Sequence, residues 1–177
     1  MGTLLWILLI VVVALAALLA YAATRPDTFS LSRSIAINAP AARIFPLIAD
    51  FREWTKWSPW EKLDPALQRA YSGAERGVGA VYEWEGAKAG QGRMEIAEAP
   101  EPSRVRIKLD FIKPFPANNV ATFELAERGG ATTVTWSMSG PQAFVGKVVS
   151  VFMSMDKIVG RSFEQGLADL KRVSEAA

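Results

Sequence analysis

The chain has 177 residues, half of them hydrophobic, and a formal net charge of +2 from 20 Lys and Arg against 18 Asp and Glu. That is the make-up of one globular domain behind an unusually apolar N-terminus, with no clustered basic footprint of the kind nucleic acid requires. Cys and His are both absent, which excludes disulfides, thiolate and imidazole metal sites, a Cys nucleophile and the commonest general base.

From Leu4 to Ala23 there is no charged side chain, and roughly 20 residues in a helix cross about 30 Å of hydrocarbon. Residues 1–24 are therefore expected to be a single transmembrane anchor, 25–28 a linker and 29–177 the folded domain. A cleaved signal peptide is the rival, since Ala20-Tyr21-Ala22 offers a small-residue site; the lack of a basic residue before the run and its length favour the anchor. Trp6 and Tyr21 sit near opposite ends, as interfacial aromatics do, and Arg25 and Arg33 after the run place the domain on the cytoplasmic side by the positive-inside rule.

Phe29 to Ile37 alternates apolar and polar residues, the period of a half-buried strand. Asn38 or Ala39 can then cap a helix with Pro40 in its first turn, whose apolar Ile44, Phe45, Leu47, Ile48 and Phe51 recur at three and four residues. A second short helical piece carries Trp54 and Trp57 before Pro59, and Asp64 with Pro65 makes a turn. Strands follow at Ala80–Glu85, Gly92–Ala97, Val105–Phe111, Val120–Leu125 and Thr132–Met138, separated by glycine-bearing turns as in an antiparallel meander. Strict alternation puts Val105, Ile107, Leu109 and Phe111 on one face and charges on the other. From Phe144 the period becomes helical, and Met155, Ile158, Val159, Phe163, Leu167 and Leu170 form the apolar stripe of a long C-terminal helix facing the sheet. Strands followed by a terminal helix argue an α+β fold.

The run Ser34 to Phe45, with Ile37-Asn38-Ala39-Pro40 leading into Ile44-Phe45, resembles the opening of the START-like superfamily. The likeness is to its polyketide cyclase/dehydrase and lipid-transport (SRPBCC) group. Trp57-Ser58-Pro59-Trp60, Asp64-Pro65, Gly77-Val78-Gly79-Ala80 with Tyr82 and Trp84, and the ending Phe163 to Lys171 are similar to one bacterial branch of that group. The resemblance runs from about Phe29 to Val173 and implies a helix-grip fold, a curved sheet around a long helix with a cavity between them. It implies no single reaction, because one fold hosts carriers, sensors and enzymes.

On that arrangement the inner faces of the strands line the gap with Tyr82, Trp84, Met94, Phe111, Phe123, Trp136 and Met138, which suits a hydrophobic small molecule or lipid. Solid packing of the same residues is the plainer alternative. Trp57 and Trp60, with Trp54, either rim the entrance or plug the end of the sheet, and Phe163 reaches in from the C-terminal helix. The nearly apolar segment Phe144–Met155, including Phe152, is expected to be a lid or a bilayer contact, or else to pack beneath the Trp-rich loop. Glu83, Glu85, Glu95, Asp110 and Glu124 fall on outward faces, leaving Tyr82 as the inward titratable group, so no catalytic residue, metal or cofactor is assigned. The expected function is a membrane-tethered carrier or sensor of a lipophilic ligand. A cyclase- or dehydrase-like enzyme in the same cavity and a protein-interaction module built on the Trp-rich loop are the alternatives.

Overall fold

Period-two alternation folds the middle of the chain into one seven-stranded antiparallel sheet. The computed structural model describes residues 2–64, 66–152 and 155–176, with the backbone alone for Phe152, Met155, Lys157 and Ile158; Pro65, Met153 and the side chains of Phe152, Met155 and Ile158 thus lie outside the described residues. In chain order the elements are α1 (Gly2–Ala23), β1 (Thr28–Ile37), α2 (Ala41–Ala49), two 3-10 turns (Phe51–Lys56 and Pro59–Lys62), β2 (Gln68–Gly73), β3 (Ala80–Gly86), β4 (Gly90–Glu98), β5 (Arg104–Lys113), β6 (Ala117–Arg128), β7 (Ala131–Pro141), α3 (Phe144–Phe152) and α4 (Met155–Glu175). Strand order across the sheet is β1-β7-β6-β5-β4-β3-β2. The expected α+β helix-grip architecture is what forms.

Three details differ from the sequence reading. Strand β2 escapes detection because its residues are mostly exposed and carry no alternating apolar signal. Pro40 precedes α2 rather than occupying its first turn, and the Ala41 amide is taken by the Glu127 carboxylate at 2.8 Å instead of by a local cap. The expected single C-terminal helix is two elements: α4 faces the sheet, whereas α3 packs chiefly against α1.

The outer wall of the grip is held electrostatically. Arg33 occupies an inner-face position of the edge strand β1, opposite Trp136, where a cation needs partners. Its guanidinium bonds Asp156 at 2.8 Å and Glu164 at 2.7 Å. Between those two acids, Gly160 leaves the space the guanidinium fills, since a Cβ there would stand 2.3 Å from Arg33 Nη2. Lys171 donates to the Ala36 carbonyl and Glu175 accepts from the Asn38 amide, each at 2.7 Å, so the far end of α4 is tied to the same strand.

Along β7 the inner face is graded. At one end Val134 pairs with Leu125 and Ile35, forming a solid core with Ile44, Ile48, Leu167 and Leu170. Next comes an aromatic layer, in which Trp136 stacks on Phe163 at 4.0 Å and on Phe123 at 4.7 Å. Trp54, Trp57 and Trp60 meet Trp136 edge-on at 6.4, 5.7 and 5.4 Å. The hairpin closing β6 onto β7 turns on Gly129 and Gly130, with φ of 60° and 82°, values reached without strain only by glycine. Truncating Phe163 to Ala is expected to cost about 3–5 kcal/mol, because it removes the ring on which the aromatic layer stacks, and Phe163→Leu clearly less. Thermal unfolding of the full chain in micelles checks this.

Candidate functional site

Beyond the aromatic layer the inner face empties. Row by row, Met138 pairs with Ala121, Asn119 with Leu109 and Leu109 with Met94, and Ala117 with Phe111. On β6 these rows carry only Ala117, Asn119 and Ala121, and a cavity of about 310 Å³ remains between sheet and helix. Its floor is Met94, Leu109, Phe111, Ala121 and Met138; Trp60, Trp136 and Phe163 form the wall shared with the aromatic layer; Phe29 and Val159 close the β1 side, and Tyr82 with Trp84 the opposite side.

Eight of the eleven residues expected to touch a ligand therefore line the cavity: Trp60, Tyr82, Trp84, Met94, Phe111, Trp136, Met138 and Phe163. Trp57 and Phe123 do not. Both are fully buried, at 0% exposure, Trp57 edge-on to Phe123 and Trp136, because the first 3-10 turn and Trp57, which caps it, fold their indoles against the sheet rather than across an opening. Both indoles are anchored, Trp54 Nε1 donating to the Ile48 carbonyl at 2.9 Å and Trp57 Nε1 to the Leu47 carbonyl at 2.8 Å. Phe152 ends α3, and its side chain is outside the described residues.

Two polar features of the cavity were not predicted. The first is Glu61, in the second 3-10 turn, whose side chain is only 6% exposed. Tyr82 Oη donates to its Oε1 at 2.6 Å and Arg69 Nε to its Oε2 at 2.6 Å. Tyr82 is thus not the sole inward titratable group; the strand alternation rule says nothing about side chains that enter from a turn. Burial, reinforced by the hydrogen bond to Glu61, pushes the Tyr82 phenol far above its ordinary range. Asp64 fixes this turn in place: its Oδ1 accepts from the Ala66 amide at 3.1 Å and its Oδ2 from the Lys88 amide at 3.0 Å. Those amides, Lys88 first, hold its carboxyl below the usual carboxylate value.

The second is Asn119, on β6 and 6% exposed, whose Oδ1 has no hydrogen-bond partner among the described residues. Gly140 on β7 makes room for it, since a Cβ there would stand 2.0 Å from Oδ1. Trp136 Nε1 is likewise unpartnered among the described residues, while Trp84 Nε1 donates to the Ala89 carbonyl at 3.2 Å. The polar-out residues Glu83, Glu85, Glu95, Asp110 and Glu124 are absent from the lining, as alternation requires. In an alkaline titration the rise in phenolate absorbance is expected to be the same for the wild type and Tyr82→Phe up to about pH 10, the ordinary tyrosine value. A variant rise smaller by about half a tyrosine at that pH would mean that Tyr82 ionises normally.

A profile of the family described as polyketide cyclase / dehydrase and lipid transport matches residues 28–175. Among solved structures, a protein from Thermobifida fusca superposes with a TM-score of 0.61 at 22% identity, covering 82% of this chain and 92% of that one. A protein from Chromobacterium violaceum gives 0.59 at 18% identity over 85% of this chain and 99% of that one. The Aha1 dimer from Colwellia psychrerythraea gives 0.60 at 14% identity over 83% and 96%. At these identities the structural likeness carries the fold alone. No curated protein matches the chain. With the profile spanning the whole helix-grip unit and a predominantly apolar cavity inside it, the chain belongs to the polyketide cyclase/dehydrase and lipid-transport family of the START-like superfamily, a hydrophobic ligand-binding fold.

Proposed function

We propose that this chain is a membrane-tethered binding module, a carrier or sensor, that takes one lipophilic small molecule or a single acyl chain between its sheet and α4. The observation that carries this reading is the cavity of about 310 Å³ with predominantly apolar walls. Filling it gains roughly 25 cal/mol per Å² of apolar surface removed from water. Its size is at the lower end of small-molecule sites, which favours one chain or ring system over a two-chain lipid. Met94 and Met138 in the floor let the shape adjust to the occupant. Asn119 Oδ1, unpartnered among the described residues, selects a lipophile bearing a hydrogen-bond donor, because a buried polar group left unpaired costs about 1–3 kcal/mol. In this reading residues 1–24 are the anchor, 25–28 the linker and 29–177 the domain, and Arg25 and Arg33 favour a cytoplasmic position.

One observation favours a second reading, a cyclase- or dehydrase-like enzyme: Glu61 and Tyr82 form a hydrogen-bonded acid–phenol pair at the cavity wall, where a proton is within reach of a bound carbonyl or hydroxyl. The Trp-rich turns offer less to a protein partner, with Trp54 and Trp57 buried. Native mass spectrometry of the full chain released from micelles tests the choice. The wild type is expected to carry a lipophile, and Ala121→Phe or Ala117→Phe, each placing a ring in the cavity, to lower its occupancy at least about tenfold. An empty wild type that takes up nothing from a membrane extract would overturn the binding reading. Recovery of one and the same molecule from wild type and Glu61→Gln is expected of a carrier; a difference by the mass of one water would establish the enzyme.

A further inference from the structure

A surface helix normally turns its polar residues to water, and α3 does the opposite. Lys147 is buried and ion-paired with Asp27 just after α1. Ser150, half-buried, accepts through its carbonyl from Arg25 at 3.4 Å, and the Gln142 amide donates to the Asp27 carbonyl at 2.7 Å. These bonds dock α3 onto the end of α1 with its polar side inward. Outward it presents Phe144, Val145 and Val149, Val145 at 73% exposure.

The sheet register adds a second apolar element at the same end. Thr28 of β1 pairs with Pro141 of β7, and Phe111 of β5 with Ala117 of β6. Because β6 and β7 are antiparallel, with Val120 opposite Ser139, the β5–β6 turn lies at the end of the sheet where α1 enters and α3 leaves. That turn exposes Phe115 at 82%, and the adjoining end of β5 exposes Ile112 at 45%. The cavity residues Phe29, Phe111, Ala117 and Asn119 belong to the rows nearest this end.

We infer that α3 and the β5–β6 turn together form a membrane-contact surface, lying in the headgroup and upper acyl region beside the end of α1, so that the cavity end of the sheet faces the bilayer from which its ligand comes. The inference rests on reading α1 as a membrane span and deepens the proposed function by naming the surface through which the pocket exchanges with lipid. The occupant is argued from continuity: α1 is one helix of 22 residues, long and apolar enough to cross a membrane, and α3 is bonded to its exit. Tyr21 and Arg25, stacked at 5.6 Å, mark the level of the interface, and Arg25 and the exposed Lys113 supply the charge that anionic headgroups attract. An apolar patch of this kind left in water would be a liability; in the interface it gains burial.

The chain contains no Cys, so single cysteines label uniquely. Full-length Leu15→Cys, Val145→Cys, Phe115→Cys and Arg128→Cys, each carrying an environment-sensitive fluorophore, are placed in phosphatidylcholine/phosphatidylglycerol vesicles containing lipids with a nitroxide just below the headgroup. Labels at 145 and 115 are expected to shift to the blue and to be quenched several-fold more than the label at 128, on the β6–β7 hairpin at the opposite end of the sheet. A label at 15 shielded from an aqueous quencher establishes the span by itself. With that label shielded, labels at 145 or 115 that remain as wet as the one at 128 would overturn the contact surface while leaving the tether intact. Labels that are buried yet not quenched by lipid nitroxide, as beneath a second copy of the chain, would overturn it too. A label at 15 open to the aqueous quencher would remove the tether and the inference with it, and would leave the cavity reading to its own mass measurement.

Discussion

The stack of Trp136 on Phe163, 4.0 Å between ring centroids and nearly parallel at 11°, is the contact on which the architecture turns. It joins the middle of β7, next to the edge strand β1, to the middle of α4 and sets how far apart the two layers stand there. On one side of it the gap is filled by aliphatic residues to full burial; on the other, β6 carries only Ala117, Asn119 and Ala121 inward and the gap stays open. The two 3-10 turns complete the same layer from below with Trp54, Trp57 and Trp60, each edge-on to Trp136. Edge-to-face and stacked arrangements suit the ring quadrupoles, and a rigid aromatic layer keeps the cavity from collapsing when it holds nothing.

Polar groups are used sparingly and for position. Arg33 sits where a strand residue faces the helix, and its partners Asp156 and Glu164 are spaced eight residues apart on one side of α4, with Gly160 between them. Glu61 is held from both sides by Tyr82 and Arg69, so its carboxylate is presented to the cavity in one orientation. Asn119 Oδ1 and Trp136 Nε1, both in the cavity lining, are exceptions: neither has a hydrogen-bond partner among the described residues. Buried polar atoms are ordinarily satisfied, and in the proposed reading these two would bond the occupant of the cavity.

The two ends of the sheet have different tasks. The β6–β7 hairpin end is closed by α2, with Glu127 reaching the first amide of that helix, and carries the solid core. At the other end α1, α3 and the β5–β6 turn converge, together with the cavity's outermost rows. The separation of tasks follows from antiparallel topology, which returns alternate turns to the same end, and from the placement of the single long apolar helix immediately before β1.

Much of this was legible in the chain. Alternation over 29–37, 80–85, 92–97, 105–111, 120–125 and 132–138 determined six strands and which of their residues point inward, because side-chain direction in a strand depends only on parity. Hence eight of the proposed ligand contacts fell on the cavity, and an apolar run of this length determined α1. What alternation does not encode is contact between elements that carry no such period. Strand β2 pairs through its backbone with almost no apolar face, Glu61 enters the cavity from a turn, and Trp57 and Phe123 pack into one layer so tightly that neither reaches the space beside it. The inverted face of α3 was visible as a nearly apolar segment, but its direction was decided only when Lys147 and Ser150 met Asp27 and Arg25. The sequence by itself determined six of the seven strands, the apolar N-terminal helix and the inward residues of those strands, which are local properties of composition and period; the tertiary structure alone decided where the core stops and the cavity begins, because that depends on side chains from distant elements competing for one volume.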